Sequence, residues 1–439
     1  RLSCDHRGAA TGEGSPGHRV NLVSVREHAR LTTGPVLAGS LDVASLPASA
    51  FDWLCREAER HRPGGAPLVQ VESQRWLRVD NYVGVLESPC GTRIEILPKH
   101  VHGASDVATA RRVLVRMLKE GLRLPRPRIS DPTSLQTFDA PVSEWIVQQF
   151  LQELDGLVRR GLRFDYRLVE EEVRFLRGRL HVAHQLRQPV GRQHLFQVEH
   201  QLFDPSRPEN RLIAAALLKV AGLTREPENW RLAHELEHQL AEIRPSHDIA
   251  GDFRRWSRDR LMSHYGSIKP WCELILGNRN PTSGLGSWTG RSLLFPMEKV
   301  FECFVEASLR RCLPQGARLR AQAASHYLCS QGARQVFQLR PDFLVEYQGS
   351  TWVVDAKWKL IDEADGADNY GLSQSDFYQL FAYGQRYLPG SGQLILVFPA
   401  SDSFQSPLGR FDLRGGLWLD VVPLDLDQGR IRGKDFWTL

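Results

Sequence analysis

The stretch that decides the reading is Arg340-Pro341-Asp342-Phe343-Leu344-Val345-Glu346-Tyr347-Gln348-Gly349-Ser350-Thr351-Trp352-Val353-Val354-Asp355-Ala356-Lys357. Apolar, β-branched and aromatic residues flank Gln348-Gly349-Ser350, which predicts a hairpin with strands over Phe337 to Tyr347 and Thr351 to Leu360. Side chains alternate along a strand, so parity sorts them into two faces. Phe337, Leu339, Phe343, Val345, Trp352, Val354, Ala356, Trp358 and Leu360 share an apolar face. Asp342, Asp355 and Lys357 fall on the other. A turn centred between Gln348 and Gly349 makes Asp342 and Asp355 direct cross-strand partners, with Cβ atoms roughly 4.5–5.5 Å apart. Two carboxylates that close repel unless one is protonated or a cation lies between them.

A hard divalent cation suits this pair. Mg²⁺ keeps much of its water and needs few protein ligands, so two carboxylates, a backbone carbonyl and waters suffice. Lys357, two residues past Asp355 on the same face, would approach the attacking water or a scissile phosphate and stabilise developing negative charge. The plainer alternative is an ordinary hairpin with a solvated charged face. Its surroundings favour chemistry. Pro296 is placed to open a helix running to about Leu313, strands follow to about Leu360, a helix covers Asp376 to Tyr387, and strands over Leu394 to Phe398 and Leu417 to Leu426 come last. That order matches the αβββαβ core of restriction-type nucleases.

Working outward, the 439 residues exceed one ordinary core and predict two or three domains. Hydrophobic content of 42% and charged content of 24% are those of a globular protein, and the net charge of +5 is compatible with a nucleic-acid partner. The seven cysteines contain no C-x-x-C pair and give no zinc-ribbon or disulfide framework. The longest strongly apolar stretch, Leu212 to Leu223, is interrupted by Lys219 and is too short to cross a bilayer. A cytoplasmic protein without a membrane partner is expected.

Four segments are expected. Residues 1–20 read as a mobile tail. Residues 21–105 read as a β-rich N-terminal domain, with short apolar runs between turns from Pro67 to Lys99. Residues 106–285 read as a mainly helical, stalk-like middle, with amphipathic stripes at Val113, Leu114, Met117 and Leu118 and at Trp145, Ile146, Phe150, Leu151, Leu154 and Leu157. A Gly/Asn/Ser-rich connection at 278–291 leads into the α/β unit, 286–439.

Arg340-Pro341-Asp342, Asp355-Ala356-Lys357-Trp358-Lys359 and Tyr378-Gln379-Leu380-Phe381-Ala382-Tyr383 resemble the McrC family, the nuclease subunit of McrBC modification-dependent restriction systems. Pro296-Met297-Glu298-Lys299-Val300-Phe301-Glu302, Leu176-Arg177-Gly178-Arg179-Leu180, Phe203-Asp204 with Asn210-Arg211, and Asn81 to Val85 with Ile94 to Lys99 extend the resemblance from about residue 70 to the end. It implies a PD-(D/E)xK nuclease domain that cuts double-stranded, modified DNA with Mg²⁺ in anti-phage defence. Asp342 and Asp355 would be metal ligands and Lys357 catalytic, with a helix carboxylate, Glu302 or alternatively Glu298, as a further ligand. Gln379, also assigned to catalysis, and Tyr383 would lie beside the site, as in RecB-like nucleases. The implied partner is a McrB-type AAA+ ring, a GTPase in the best-known system, whose hydrolysis the chain would stimulate. Arg93 and Lys99, near hairpin-like turns, are candidate contacts to its central pore.

Two rival readings remain. One is a non-cleaving activator of such a ring. The other is a zinc peptidase through His234-Glu235-Leu236-Glu237-His238, an H-E-x-x-H helix whose two histidines share a face. No third ligand with recognisable spacing follows, although Glu242 and His247 lie nearby, and Leu232, Leu236 and Leu240 give the helix an ordinary apolar stripe. Gly429 to Asp435 is too short between its glycines for a P-loop, so the chain is not expected to hydrolyse nucleotides by itself.

Overall fold

The computed structural model describes residues 22–37, 39–60, 68–100, 106–122, 124, 140–257, 259–277, 291–388 and 390–433. The expected tail and nearly all of the 278–291 connection lie outside the described residues.

The C-terminal unit is built on a sheet whose strands run, edge to edge, Arg318–Ala321, Phe343–Tyr347, Ser350–Ala356, Gly392–Pro399, Leu417–Asp425 and Phe411–Asp412, with Arg430–Ile431 also paired to Leu417–Asp425. Phe343–Tyr347 and Ser350–Ala356 form the expected hairpin, with Tyr347 opposite Ser350. Gln348 and Gly349 take φ of 49° and 82°, the positive values that a two-residue turn matched to strand twist requires. Ser350–Ala356, Gly392–Pro399 and Leu417–Asp425 then run parallel. Parallel strands are covered on both faces, which explains near-continuous apolar runs such as Leu394 to Phe398. One face, with Phe343, Val345, Trp352 and Val354, packs into the core that holds Phe301, Phe304 and Val305 of helix Met297–Cys312. The other, with Leu344, Val353 and Leu396, packs with Leu380 and Tyr383 of helix Gln374–Tyr387.

Two expectations for this hairpin are corrected. The stretch from Phe337 to Tyr347 is two strands, because Arg334–Leu339 pairs with His326–Gln331 in a separate hairpin. Pro341, with no N–H for a ladder, falls in the break. Phe337 is therefore off the apolar face and 72% exposed, and Leu339 packs against the opposite core. The second strand also stops at Ala356, short of Leu360.

Upstream, two four-stranded sheets and helix Ala48–Arg60 enclose a separate core around Val25, Leu31, Leu54 and Leu77. One sheet runs Leu22–Arg26, Arg93–Leu97, Tyr82–Glu87, Arg291–Pro296. Its last strand comes from the segment assigned by sequence to the C-terminal unit. Gly84 makes the pairing possible: its φ is +124°, and a Cβ there would meet the Leu293 carbonyl oxygen at 2.0 Å. The same strand leads directly into helix Met297–Cys312.

The middle is mainly helical, with Val107–Gly121, Val142–Arg160, Pro208–Leu223 and Pro227–Gln239 as its longer helices. It also carries a three-stranded sheet of Asp165–Val173, Phe196–Asp204 and Arg179–Leu180. The apolar core is continuous from these helices into the C-terminal unit. Gly121 permits the close approach, since a Cβ there would lie 2.9 Å from the Phe304 backbone nitrogen. Among the described residues no helix is long and apolar enough to cross a membrane.

Candidate active site

Asp342 and Asp355 sit where the hairpin opens. The strand register, Phe343 opposite Val354, extends by one step to Asp342 opposite Asp355. Both point to the side of the sheet covered by helix Gln374–Tyr387. That face is packed, with Leu344 and Val353 filling it below the carboxylates. Asp355 is 2% exposed. The solvated charged face of the plainer alternative is absent here.

Hydrogen bonds fix each group. Asp342 Oδ2 accepts the Ala356 N–H at 2.9 Å, and Oδ1 accepts Gln322 Nε2 at 3.4 Å. Lys357 Nζ lies 2.9 Å from Asp355 Oδ2, a close ion pair with a carboxylate that is almost fully buried. Lys357 Nζ also donates to Gln379 Oε1 at 3.0 Å. Gln379 Nε2 donates to the Tyr383 hydroxyl at 2.7 Å, and that hydroxyl donates to the Arg340 carbonyl at 3.1 Å. Gln379 and Tyr383, one helical turn apart, thus tie the lysine to the backbone just ahead of Asp342. Tyr383 is at once a core residue and part of this chain of bonds.

The electrostatics follow from burial. Desolvation, and then the Asp355 charge, push the Asp342 carboxyl up to about 7. Burial also raises Asp355, only partly offset by Lys357. Burial alone would lower Lys357, but the Asp355 charge and hydrogen bond outweigh it and hold the ammonium above its usual range. Two crowded carboxylates short of positive charge are a donor set that a hard cation would relieve.

The helix carboxylates part ways. Glu302 is joined to Asp342 through Gln322, whose side-chain amide donates to both, and it also pairs with Lys299. Glu298 is exposed and acts instead on Glu27 and Tyr82, whose ionisation it opposes. Glu302 therefore neighbours the aspartates and Glu298 does not. No group of three His, Cys, Asp or Glu poised as metal ligands occurs among the described residues. The aspartate pair would offer carboxylate oxygens to a hard cation such as Mg²⁺, and Glu302 would join it only by leaving Gln322.

Sequence reasoning missed Gln322 and Asp376. Gln322 bridges Glu302 and Asp342 from a left-handed backbone, φ 51°, that no motif announces. Asp376 Oδ1, 3.9 Å from Lys357 Nζ, lies in the first turn of its helix, where a carboxylate needs no catalytic explanation.

Other candidates are placed elsewhere. Arg93 is 4% exposed, within 3.5 Å of Glu87 and 3.4 Å of Glu144, and donates to the Leu223 carbonyl. Its strand and Tyr82–Glu87 are buried throughout, which removes Arg93 from any pore-facing surface. Lys99 is partly buried, its backbone N–H bound to Glu27. His234, Glu235 and His238 are exposed on helix Pro227–Gln239, and His234 Nδ1 lies 2.8 Å from the Trp230 carbonyl with its ring against Trp230.

Known proteins supply the remaining evidence. No curated protein matches the chain. Of solved structures, the fold is similar to a chain in the refined half-complex from the tetradecameric assembly of Thermococcus gammatolerans McrB AAA+ hexamers with bound McrC. The TM-score is 0.61 at 19% identity, covering 93% of this chain and 98% of that one. A second match, in the cryo-EM structure of the Thermococcus gammatolerans McrBC complex, has a TM-score of 0.48 at 21% identity, covering 67% of this chain and 89% of that one. The family model described as McrBC 5-methylcytosine restriction system component matches residues 77–399, most of the length. The chain belongs to the family of McrBC 5-methylcytosine restriction system components.

Proposed function

We propose that this chain is the cutting subunit of a McrBC-type restriction system: a metal-dependent endodeoxyribonuclease of the PD-(D/E)xK kind, acting on modified double-stranded DNA. The observation that carries the reading is the meeting of Asp342, Asp355 and Lys357 at one end of a buried hairpin, with Gln379 orienting the lysine. A helix before the hairpin, a helix after it and a parallel strand beyond give the αβββαβ order that supports the PD-(D/E)xK assignment. Asp342 and Asp355, with Glu302 once released, would hold Mg²⁺, which when bound lowers the pKa of water and screens the phosphate. Gln322 and the Ala356 N–H orient Asp342. Lys357, kept charged by Asp355, supplies a compact ammonium to negative charge developing on the phosphate. Gln379 and Tyr383 keep that ammonium from swinging to solvent.

The partner we infer is a McrB-type AAA+ ring that hydrolyses GTP or ATP, with the chain stimulating hydrolysis. Family membership, the likeness to McrC in the McrB assembly and the lack of a P-loop in the sequence support it. A second reading, a non-cleaving activator of the ring, is favoured by one observation: Glu302 is committed to Lys299 and Gln322. The deciding experiment incubates the chain and its ring partner with methylated plasmid, Mg²⁺ and GTP or ATP. Metal- and nucleotide-dependent cutting that Asp355→Ala removes is expected. Stimulated hydrolysis with no cutting under any condition would leave the activator.

A further inference from the structure

Glu27 is a buried carboxylate that the proposed chemistry does not use, and it touches the nuclease hairpin from another layer of the molecule. It follows strand Leu22–Arg26 of the N-terminal sheet, held there by its N–H to the Leu97 carbonyl at 2.9 Å. Glu27 Oε1 accepts two hydrogen bonds, from the Lys99 backbone N–H at 2.7 Å and from Trp358 Nε1 at 2.6 Å. Trp358 is the residue next to Lys357. It lies just past the strand end, so the segment lacks a full ladder; the Lys357 N–H bond to the Val397 carbonyl at 2.9 Å and the Lys359 N–H bond to the Lys357 carbonyl at 3.1 Å are backbone ties. Successive side chains point to opposite sides. Trp358 enters the core beside Phe301, with ring centroids 5.2 Å apart, while Lys357 turns to Asp355 and Gln379. The indole is therefore the peg on which the lysine's backbone is hung, and Glu27 holds its polar edge.

We propose that Glu27 is a positioning residue for Lys357, acting from the N-terminal sheet through the Trp358 indole; this rests on the proposed nuclease function. Burial makes the arrangement costly to keep for packing alone. Glu27 is 1% exposed and its second oxygen, Oε2, has no hydrogen-bond partner. Buried polar groups are normally satisfied, and a half-satisfied carboxylate stands out. Desolvation raises the carboxyl to about 7 against the opposing pull of Lys99 and Trp358, with Glu298 adding to the rise. A neutral side chain that still accepts two bonds would serve the purpose.

The test measures kcat and KM for cleavage of methylated plasmid by the full chain with its AAA+ partner and Mg²⁺, beside thermal unfolding of each variant. Glu27→Ala and Trp358→Phe should each lower kcat by about ten- to a hundredfold with KM nearly unchanged, the effect of displacing a reacting group by about an ångström. Glu27→Gln keeps the accepting oxygen and should recover most of the rate. The double variant should be no worse than the weaker single one, because both remove the same bond. Should Glu27→Ala not fold, Trp358→Phe and Glu27→Gln decide the matter. Wild-type kcat in Trp358→Phe, or a loss in Glu27→Gln equal to that in Trp358→Phe, would overturn the positioning role while leaving the nuclease intact. Lys357→Ala is the control on the underlying reading: cleavage that survives it would remove that reading and the positioning role together.

Discussion

At the scale of single residues, the pair Asp342 and Asp355 was legible because the turn is short. Gln348-Gly349 can adopt the two positive φ values of a tight hairpin, which fixes the register and sets the aspartates opposite each other. Their burial was not legible, since it depends on a helix packed from elsewhere in the chain. Asp355→Asn should reduce cleavage by at least about a hundredfold, the size of effect expected when a charge-stabilising group is lost. A loss under threefold would move the chemistry off this residue. Lys357→Arg should fail similarly, because a planar guanidinium cannot occupy the ammonium's place between Asp355 and Gln379. Glu27 gives a pH signature. Its folded carboxyl titrates near 7, raised from 4.5 by burial, with Lys99 and Trp358 opposing and Glu298 assisting. Between those values the folded chain holds a proton that the unfolded chain has released, so stability is greatest at the acid end and falls as pH rises through 7. The full swing is up to about 3 kcal/mol at 1.36 kcal/mol per unit. Urea unfolding at pH 5 and pH 8 should show a larger decline for wild type than for Glu27→Gln. Equal declines would mean that Glu27 titrates normally.

At the scale of elements, the apolar alternation of Phe343, Val345, Trp352 and Val354 was readable, and the helices at 297–312 and 374–387 fall close to their expected places. What misled was continuity. An apolar run from Phe337 to Tyr347 looks like one strand, and only the arrangement of Arg334–Leu339 against His326–Gln331 reveals two. Arg93 misled differently. Beside a Gly-containing turn it reads as an exposed cation, yet Glu87 and Glu144 draw it inward. Arg93→Ala should therefore destabilise the fold by about 3–5 kcal/mol, the penalty for stranding buried partner charges. A variant with unchanged unfolding midpoint and impaired ring binding would restore it as a contact residue. Gly84→Ala would drive a methyl into the Leu293 carbonyl and strain a left-handed backbone, with an expected loss of about 1–3 kcal/mol.

At the scale of the molecule, the boundary near residue 285 drawn from composition does not divide the packing. Strand Arg291–Pro296 closes the N-terminal sheet, and the core runs on from the middle helices into the C-terminal sheet. Pairing between residues so distant in sequence leaves no local periodicity to read. A chain ended near Gly286 would expose both the Tyr82–Glu87 edge and the apolar face of Val107–Gly121, and we expect it to aggregate. Soluble, monodisperse protein from that truncation would argue for separable halves. Cutting and stimulation are better separated in the full chain, where Asp355→Ala should abolish the first and leave the second. The strand Arg291–Pro296 also bears on how the protein is made. Its partner, Tyr82–Glu87, leaves the ribosome roughly two hundred residues earlier. At 5–20 residues per second the nascent chain therefore carries an apolar, unpaired sheet edge for about 10–40 s. That interval is the window in which a nascent-chain chaperone would be needed.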